Sequence, residues 1–259
     1  MTNRVKLVKY SYGLFGIILF LLIWETFPRL GIVDSTFLPP FSKVAVALGK
    51  LITSGKLFAH LFKSLQRSLI GFGLAIAISV PLGLVIGWFS RVERLLDPLL
   101  QTFRQTSALA LFPVFILIFG IGEVSKVAII FWGAKWPLLL STISGVKNVD
   151  PLLIKAARSM GAKPFTLFRK VILPGAFPSI FTGMRLSATS SILILIAAEM
   201  IGASSGLGFL IYWSESSFEI PTMYAAIITI AFLGLVINYA LIGFGKYVMR
   251  WQQTSVTGD

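Results

Sequence analysis

Four ionisable side chains, Arg104, Lys135, Arg185 and Glu199, fall inside or beside long apolar stretches of the sequence. At bilayer depth such groups are costly, which makes each a functional candidate. The chemistry they offer is binding rather than bond-making. Arg104 stands among Gln101, Thr102, Gln105, Thr106 and Ser107, a polar run whose N–H and O–H donors an anion could use and then leave. Lys135 stands between Trp132 and Trp136. Gln101, Arg104, Thr106, Lys135, Trp136 and Glu199 are therefore the candidate polar groups for weak, reversible contacts at bilayer depth. Each has a plainer alternative. Arg104 could snorkel to headgroups, Lys135 could pair with Glu199 across a helix bundle, Arg185 could be structural, and Glu199 could serve helix pairing or docking at its end of the span. The chain has no cysteine and a single histidine, His60. Disulfides, thiolate metal sites, a cysteine nucleophile and histidine clusters are thereby excluded.

The elements that must position these residues are set by composition. Of 259 residues, 56% are hydrophobic and 13% charged, against roughly 45–50% and 25% in soluble domains. Mean hydropathy is +0.87. A soluble protein of this length could not hide that much apolar surface, so the chain reads as an all-α polytopic membrane protein. Apolar windows near 10–27, 68–89, 99–120, 124–144, 178–201 and 223–246 predict about six transmembrane helices. Pro81, Pro113 and Pro137 predict kinks in three of them. Gly83 and Gly87 form a GxxxG pair suited to close helix packing. Arg4, Lys6 and Lys9 precede an apolar run ending in Trp24, Glu25 and Thr26, with no small-residue cleavage site. That run is expected to be a retained first span.

The net charge of +13 would suggest nucleic acid in a soluble protein. Here the positive-inside rule explains it, and no nucleic-acid partner is expected. Six spans place both termini on one side, expected to be the cytoplasm. That side collects Arg4, Lys6, Lys9, Arg91, Arg94, Lys147, Lys155, Arg158, Lys163, Arg169, Lys170, Lys246 and Arg250, while the connections at 121–125 and 202–222 carry no Lys or Arg beyond the start of the fourth span. Only 28–67 runs against the bias, with Arg29, Lys43, Lys50, Lys56, Lys63 and Arg67. The helical spacing of Val44, Leu48, Leu51, Ile52, Leu57, Leu61 and Leu65 makes that stretch an amphipathic interfacial helix. The organisation expected is an N-terminal span with an extracytoplasmic segment at 1–60, a multi-span core at 61–250 and a cytoplasmic tail at 251–259. The 202–222 loop, with Tyr212, Trp213, Glu215 and Glu219, is either an aromatic anchor or a docking surface.

The loop at 146–174 is too long for a connector. Asp150 can cap a helix that starts at Pro151, runs through Lys155, Ala156, Ala157, Arg158, Ser159 and Met160, and stops at Gly161. After Ala162, Lys163 and Pro164 a second short helix carries Phe165, Leu167, Phe168, Val171 and Ile172 up to Leu173 and Pro174. The result is a cationic hairpin whose apolar face needs a protein to receive it.

Ala156-Ala157, then Gly161, then Val171-x-Leu173-Pro174 resembles the EAA signature of ABC-importer permease subunits, with Lys155 where the family has Glu and Val171 where it has Ile. The resemblance covers about residues 30–250, through Ser64-Leu-Gln-Arg67, Glu93-Arg-Leu-Leu-Asp-Pro98, Leu109-Ala-Leu-Phe-Pro113, Phe119-Gly-Ile-Gly-Glu123, Gly145-Val-Lys-Asn-Val-Asp150, Gly183-Met-Arg185, Ala198-Glu199 and Ser205-Gly-Leu-Gly208. It is nearest to the nitrate/sulfonate/taurine/bicarbonate branch. The resemblance implies a type I ABC importer permease fold in the bacterial inner membrane. It also implies a second permease copy, two cytoplasmic ABC ATPases holding ATP and Mg2+, and an extracytoplasmic solute-binding protein. The coupling residues it implies are Lys155, Ala156, Ala157, Arg158, Met160, Gly161, Ala162, Phe165, Leu173 and Pro174, with Gly161 and Pro174 setting the angle between hairpin and fifth span. Alternating access would follow from rocking of the bundles. The chain has no G-x-x-x-x-G-K-[ST] loop, so it is expected to be non-catalytic and to bind no cofactor of its own. A self-sufficient channel or secondary transporter would call for paired intramembrane carboxylates or repeats. An intramembrane enzyme would call for a nucleophile and base. Within the branch an aliphatic sulfonate such as taurine is preferred, and nitrate is second.

Overall fold

The computed structural model describes residues 2–249, with side chains for Tyr12 and from residue 15 onward. The side chains of Arg4, Lys6 and Lys9, the residue Arg250 and the tail 251–259 lie outside the described residues. The described chain is helical, without strands. Helix α1 spans Thr2–Arg29, α2 Phe41–Thr53, α3 Lys56–Trp88, α4 Ser90–Gln105, α5 Ala108–Phe119, α6 Glu123–Lys147, α7 Pro151–Ser159, α8 Pro164–Leu167, α9 Leu173–Gly202, α10 Leu207–Ser216 and α11 Ile220–Val248. A π turn, Phe168–Ile172, joins α8 to α9. Four described stretches are long and apolar enough to cross a membrane: α3, α6, α8 through α9, and α11. The bent pair α4 and α5 makes a fifth if counted as one span. Helix α1, 28 residues long, exposes Phe15, Ile17, Ile18, Leu19, Phe20 and Leu22 but is not among these stretches, so the described residues give four or five candidate spans where about six were expected.

The centre of the bundle is α6, flanked by α3 and α9. Glycines let these backbones approach. A Cβ at Gly83 would lie 2.6 Å from the Cβ of Thr142, and one at Gly87 would lie 2.8 Å from that of Val146. The expected GxxxG pair therefore faces α6. Across the other face of α6, a Cβ at Gly183 would lie 2.6 Å from the Cβ of Ser141, and one at Gly145 2.7 Å from that of Ser179.

The third apolar window differs from the single span predicted. It is two helices meeting at 95°. The break falls at Thr106, whose ψ is 122°, and Ser107, whose side chain accepts from the N–H of Ala110 to cap α5. A capping serine starts a new helix, and the polar run before it gives the first helix no reason to continue into hydrocarbon. Pro113 lies within α5, and Pro81 and Pro137 lie within α3 and α6, none of them ending its helix. The second span also begins earlier than the predicted 68. Gly55, at φ 73°, ends the amphipathic α2, and α3 then runs unbroken from Lys56. The expected division between 60 and 61 falls inside α3, and Lys63 and Arg67 ride on a membrane helix rather than an interfacial one.

Candidate functional site

One end of the bundle carries a foot. Asp150 accepts from the N–H of Leu152 at 2.8 Å, and Pro151 occupies the first turn of α7, as the capping arithmetic predicts. The helix ends at Met160, and Gly161 turns the chain at φ 76°. The foot is anchored by Val149, Ala157, Leu167 and Ile172, which are buried together with Val146 and Ala176 under the bundle, beside Trp88. Trp88 meets the ring of Phe168 edge-on at 5.4 Å. Its outward face keeps Leu152, Leu153, Met160 and Phe165 exposed, with Lys155, Ala156 and Arg158 exposed beside them. Four large apolar side chains and two cations thus stand uncovered on one face of the foot.

Pro174 sits in the first turn of α9 and does not break it. Residues 164–202 form one continuous helical stretch of 39 residues. Proline removes a backbone donor and crowds the preceding turn, and the π turn just before it supplies the extra width. The expected angle at Pro174 is therefore absent, and the chain turns at Gly161 between α7 and this rod.

At mid-helix on α6, the Lys135 ammonium lies 3.4 Å from the centroid of the Trp132 ring and 4.4 Å from that of Trp136. The two indoles meet at 81°. Trp132 packs on Phe103 and Phe115, and Trp136 packs near Leu96 and Leu100 of α4. The expected pair between Lys135 and Glu199 does not form. Cation–π contact holds the ammonium instead.

Glu199 belongs to a lock at the opposite end from the foot. Arg67 donates from Nε and Nη2 to the two carboxylate oxygens of Glu123, at 2.6 and 2.7 Å. Its Nη1 donates to Glu199 at 2.7 Å and to the Ser205 carbonyl at 2.6 Å. Ser64 donates to Glu199 and accepts from the N–H of Leu207 at 2.8 Å. Glu199 also accepts from the N–H of Gly208 at 2.9 Å, and His60 Nδ1 accepts from the N–H of Gly206 at 3.1 Å. Three N–H groups at the start of α10, those of Gly206, Leu207 and Gly208, which the helix cannot satisfy itself, are taken by side chains of α3 and α9. Gly206, at φ 120°, has no room for a side chain, because a Cβ there would collide with the Glu199 carboxylate. The 202–222 connection is thus pinned by a helix rather than left as a loop. Tyr212, Trp213, Glu215 and Glu219 remain exposed on it.

Of the predicted polar groups, Lys135 and Trp136 stand together, while Gln101, Arg104 and Thr106 lie on the uncovered α4 and its break. Gln101 donates to Asp97 at 3.2 Å and Thr106 to the carbonyl of Thr102. Glu199 is apart from all five, with its side chain fully buried in the lock. Sequence reasoning missed Arg67, reading it as one of several interfacial cations. The signal that could have found it is its place four residues before Gly71, the first of the α3 glycines that face α6, with Ser64 one turn earlier. Among the described residues no cluster of side chains is arranged to hold a metal ion.

Residues 79–253 match the model of the binding-protein-dependent transport system inner membrane component. The chain is 36% identical over 232 residues to the aliphatic sulfonates transport permease protein SsuC of Bacillus subtilis strain 168, covering 90% of this chain and 84% of that protein. It is 32% identical over 252 residues to the taurine transport system permease protein TauC of Escherichia coli K12, covering 94% and 90%. Among solved structures, a chain of the MetNI methionine ABC transporter superposes with a TM-score of 0.68 at 19% identity, over 76% of this chain and 97% of that one.

Proposed function

This chain belongs to the binding-protein-dependent transport system inner membrane components, the permease subunits of ABC importers, and from that premise we propose that it carries a small organic sulfonate such as taurine into the cell. Its fold is that of a type I ABC importer permease, and the subunit is a non-catalytic part of an inner-membrane transporter that works with an ATPase and a solute-binding protein. The sulfonate assignment is supported by the names of the two relatives, and nitrate is the second choice.

In this reading two copies of the chain enclose the path, two ATPases grip the feet from the cytoplasm, and a binding protein delivers the solute at the end bearing the lock. Both termini are cytoplasmic. ATP and Mg2+ stay on the ATPases. The core begins with α3 rather than within it, follows an N-terminal unit made of α1 and α2, and carries the coupling loop at 146–174. The observation that carries it is the foot: an anchored hairpin whose Leu152, Leu153, Met160 and Phe165 are left exposed among the described residues. Lys155, Ala156, Ala157, Arg158, Gly161 and Ala162 position that face, and ATP-driven closure of the motors moves it, rocking the bundle between its two openings.

The test is reconstitution. With its ATPase and binding protein in proteoliposomes, the permease should take up taurine only with ATP inside, and Leu152→Ser with Phe165→Ser should abolish co-elution of the ATPase while leaving the permease inserted. Uptake without the ATPase would replace this reading with that of a self-sufficient channel or secondary transporter.

A further inference from the structure

Lys135 is the central residue of α6, twelve residues from Glu123 and twelve from Lys147. At 1.5 Å per residue it lies about 18 Å from either end, close to the middle of a hydrocarbon core about 30 Å thick. A cation there needs a counter-charge or a substitute for it. The substitute is aromatic: the rings of Trp132, Trp136 and Phe131 lie 3.4, 4.4 and 5.7 Å from the ammonium. No ion pair among the described residues includes Lys135. The acids of the neighbouring helices are engaged elsewhere, Glu93 with Lys147, Asp97 with Gln101 and Glu199 with Arg67.

The same two tryptophans present a second anomaly. The Nε1–H groups of Trp132 and Trp136 are buried with no acceptor. A buried indole donor ordinarily finds a partner, and leaving one unmade costs free energy. An ammonium without a carboxylate and two N–H donors without acceptors therefore sit on two adjacent turns of one helix. All three lack an oxygen acceptor, a need that one anionic group with several oxygens would meet at once.

We propose that Lys135, Trp132 and Trp136 form a transit site for the three-oxygen anionic head of the transported solute, with the ammonium parked on the indole faces until the anion arrives. The proposal rests on the reading of the chain as an anion permease and gives that path its recognition chemistry. A sulfonate head takes a charge-assisted contact from Lys135 and offers oxygens to the indole donors. Binding must displace the ammonium from its rings, so part of the gain is given back. The anion is held weakly enough to leave, as a transit site requires. The site selects charge and oxygen number, not the rest of the molecule.

Two measurements test this. The first is uptake of taurine and of nitrate by the reconstituted complex with its ATPase and binding protein. Lys135→Gln should lower uptake about tenfold or more, the scale of one lost charge-assisted contact. Trp132→Phe and Trp136→Phe, which keep a ring but remove the donor, should each lower it about two- to fivefold. Co-elution with the ATPase should be retained in all three. The second uses the permease alone, with Trp24, Trp88, Trp213 and Trp251 changed to Phe. Its indole emission should change saturably with taurine, and the change should vanish in Lys135→Gln. Wild-type uptake in Lys135→Gln, or emission indifferent to both anions, overturns the site and leaves the permease reading standing. A wild-type complex that imports neither anion overturns the functional reading and the site with it.

Discussion

Arg67→Met tests the lock at the end of the bundle opposite the foot. The Arg67 side chain is 3% exposed and its partner Glu199 is 0% exposed, whereas Glu123 is 62% exposed. Removing the guanidinium leaves Glu199 with only the Ser64 hydroxyl and the Gly208 N–H. An uncompensated buried carboxylate of this kind destabilises by about 3–5 kcal/mol. Glu123→Gln strips the same guanidinium of its other acid, but at a wet site, where a pair contributes about 1 kcal/mol or less. Replacing Arg67 and Glu199 together by Met should cost less than the sum of the two single changes, because no lone charge remains buried. Equilibrium unfolding in mixed micelles measures all four. The expected order is Arg67→Met far worse than Glu123→Gln, with a favourable coupling in the double variant. A loss of less than about 1 kcal/mol for Arg67→Met would refute the reasoning, since it would mean that water reaches Glu199.

Two further outcomes follow from the backbone. Gly161→Val forces a branched residue into a left-handed conformation, at a cost of about 1–2 kcal/mol, although nothing lies within 4 Å of the added Cβ. It should uncouple ATP hydrolysis from uptake and spare membrane insertion, and normal uptake would count against the foot as the coupling element. Gly83→Ala should destabilise by about 1–3 kcal/mol, because the new Cβ meets the Thr142 side chain and lies 3.1 Å from the Leu139 carbonyl. Gly73→Ala on the same helix meets nothing within 4 Å and should be neutral in the same unfolding measurement.

The foot was legible because its signals are local. A capping Asp150, a leading Pro151 and a turning Gly161 act within one or two residues of themselves, and the structure places all three as their chemistry dictates. The paired glycines of α3 were legible for the same reason. The lock was not, because Arg67, Glu123 and Glu199 lie 56 and 132 residues apart, and hydropathy assigns an isolated cation to a surface by default. The bend between α4 and α5 was hidden by an apolar window that averages over Thr106 and Ser107. The role expected of Pro174 failed because a proline in the first turn of a helix is tolerated, and the widened turn before it absorbs the crowding.

The unbroken stretch from Pro164 to Gly202 has a mechanical consequence. Thirty-nine residues make a beam about 58 Å long. Its lower tip continues from the α7 turn, and its upper tip holds the carboxylate that pins α10. With no joint between them, the beam behaves as a seesaw: tilting it by about 10° around its midpoint shifts each tip by about 5 Å, in opposite directions. A push on the lower tip would thus reach the far face by leverage, without a relay of side chains in between.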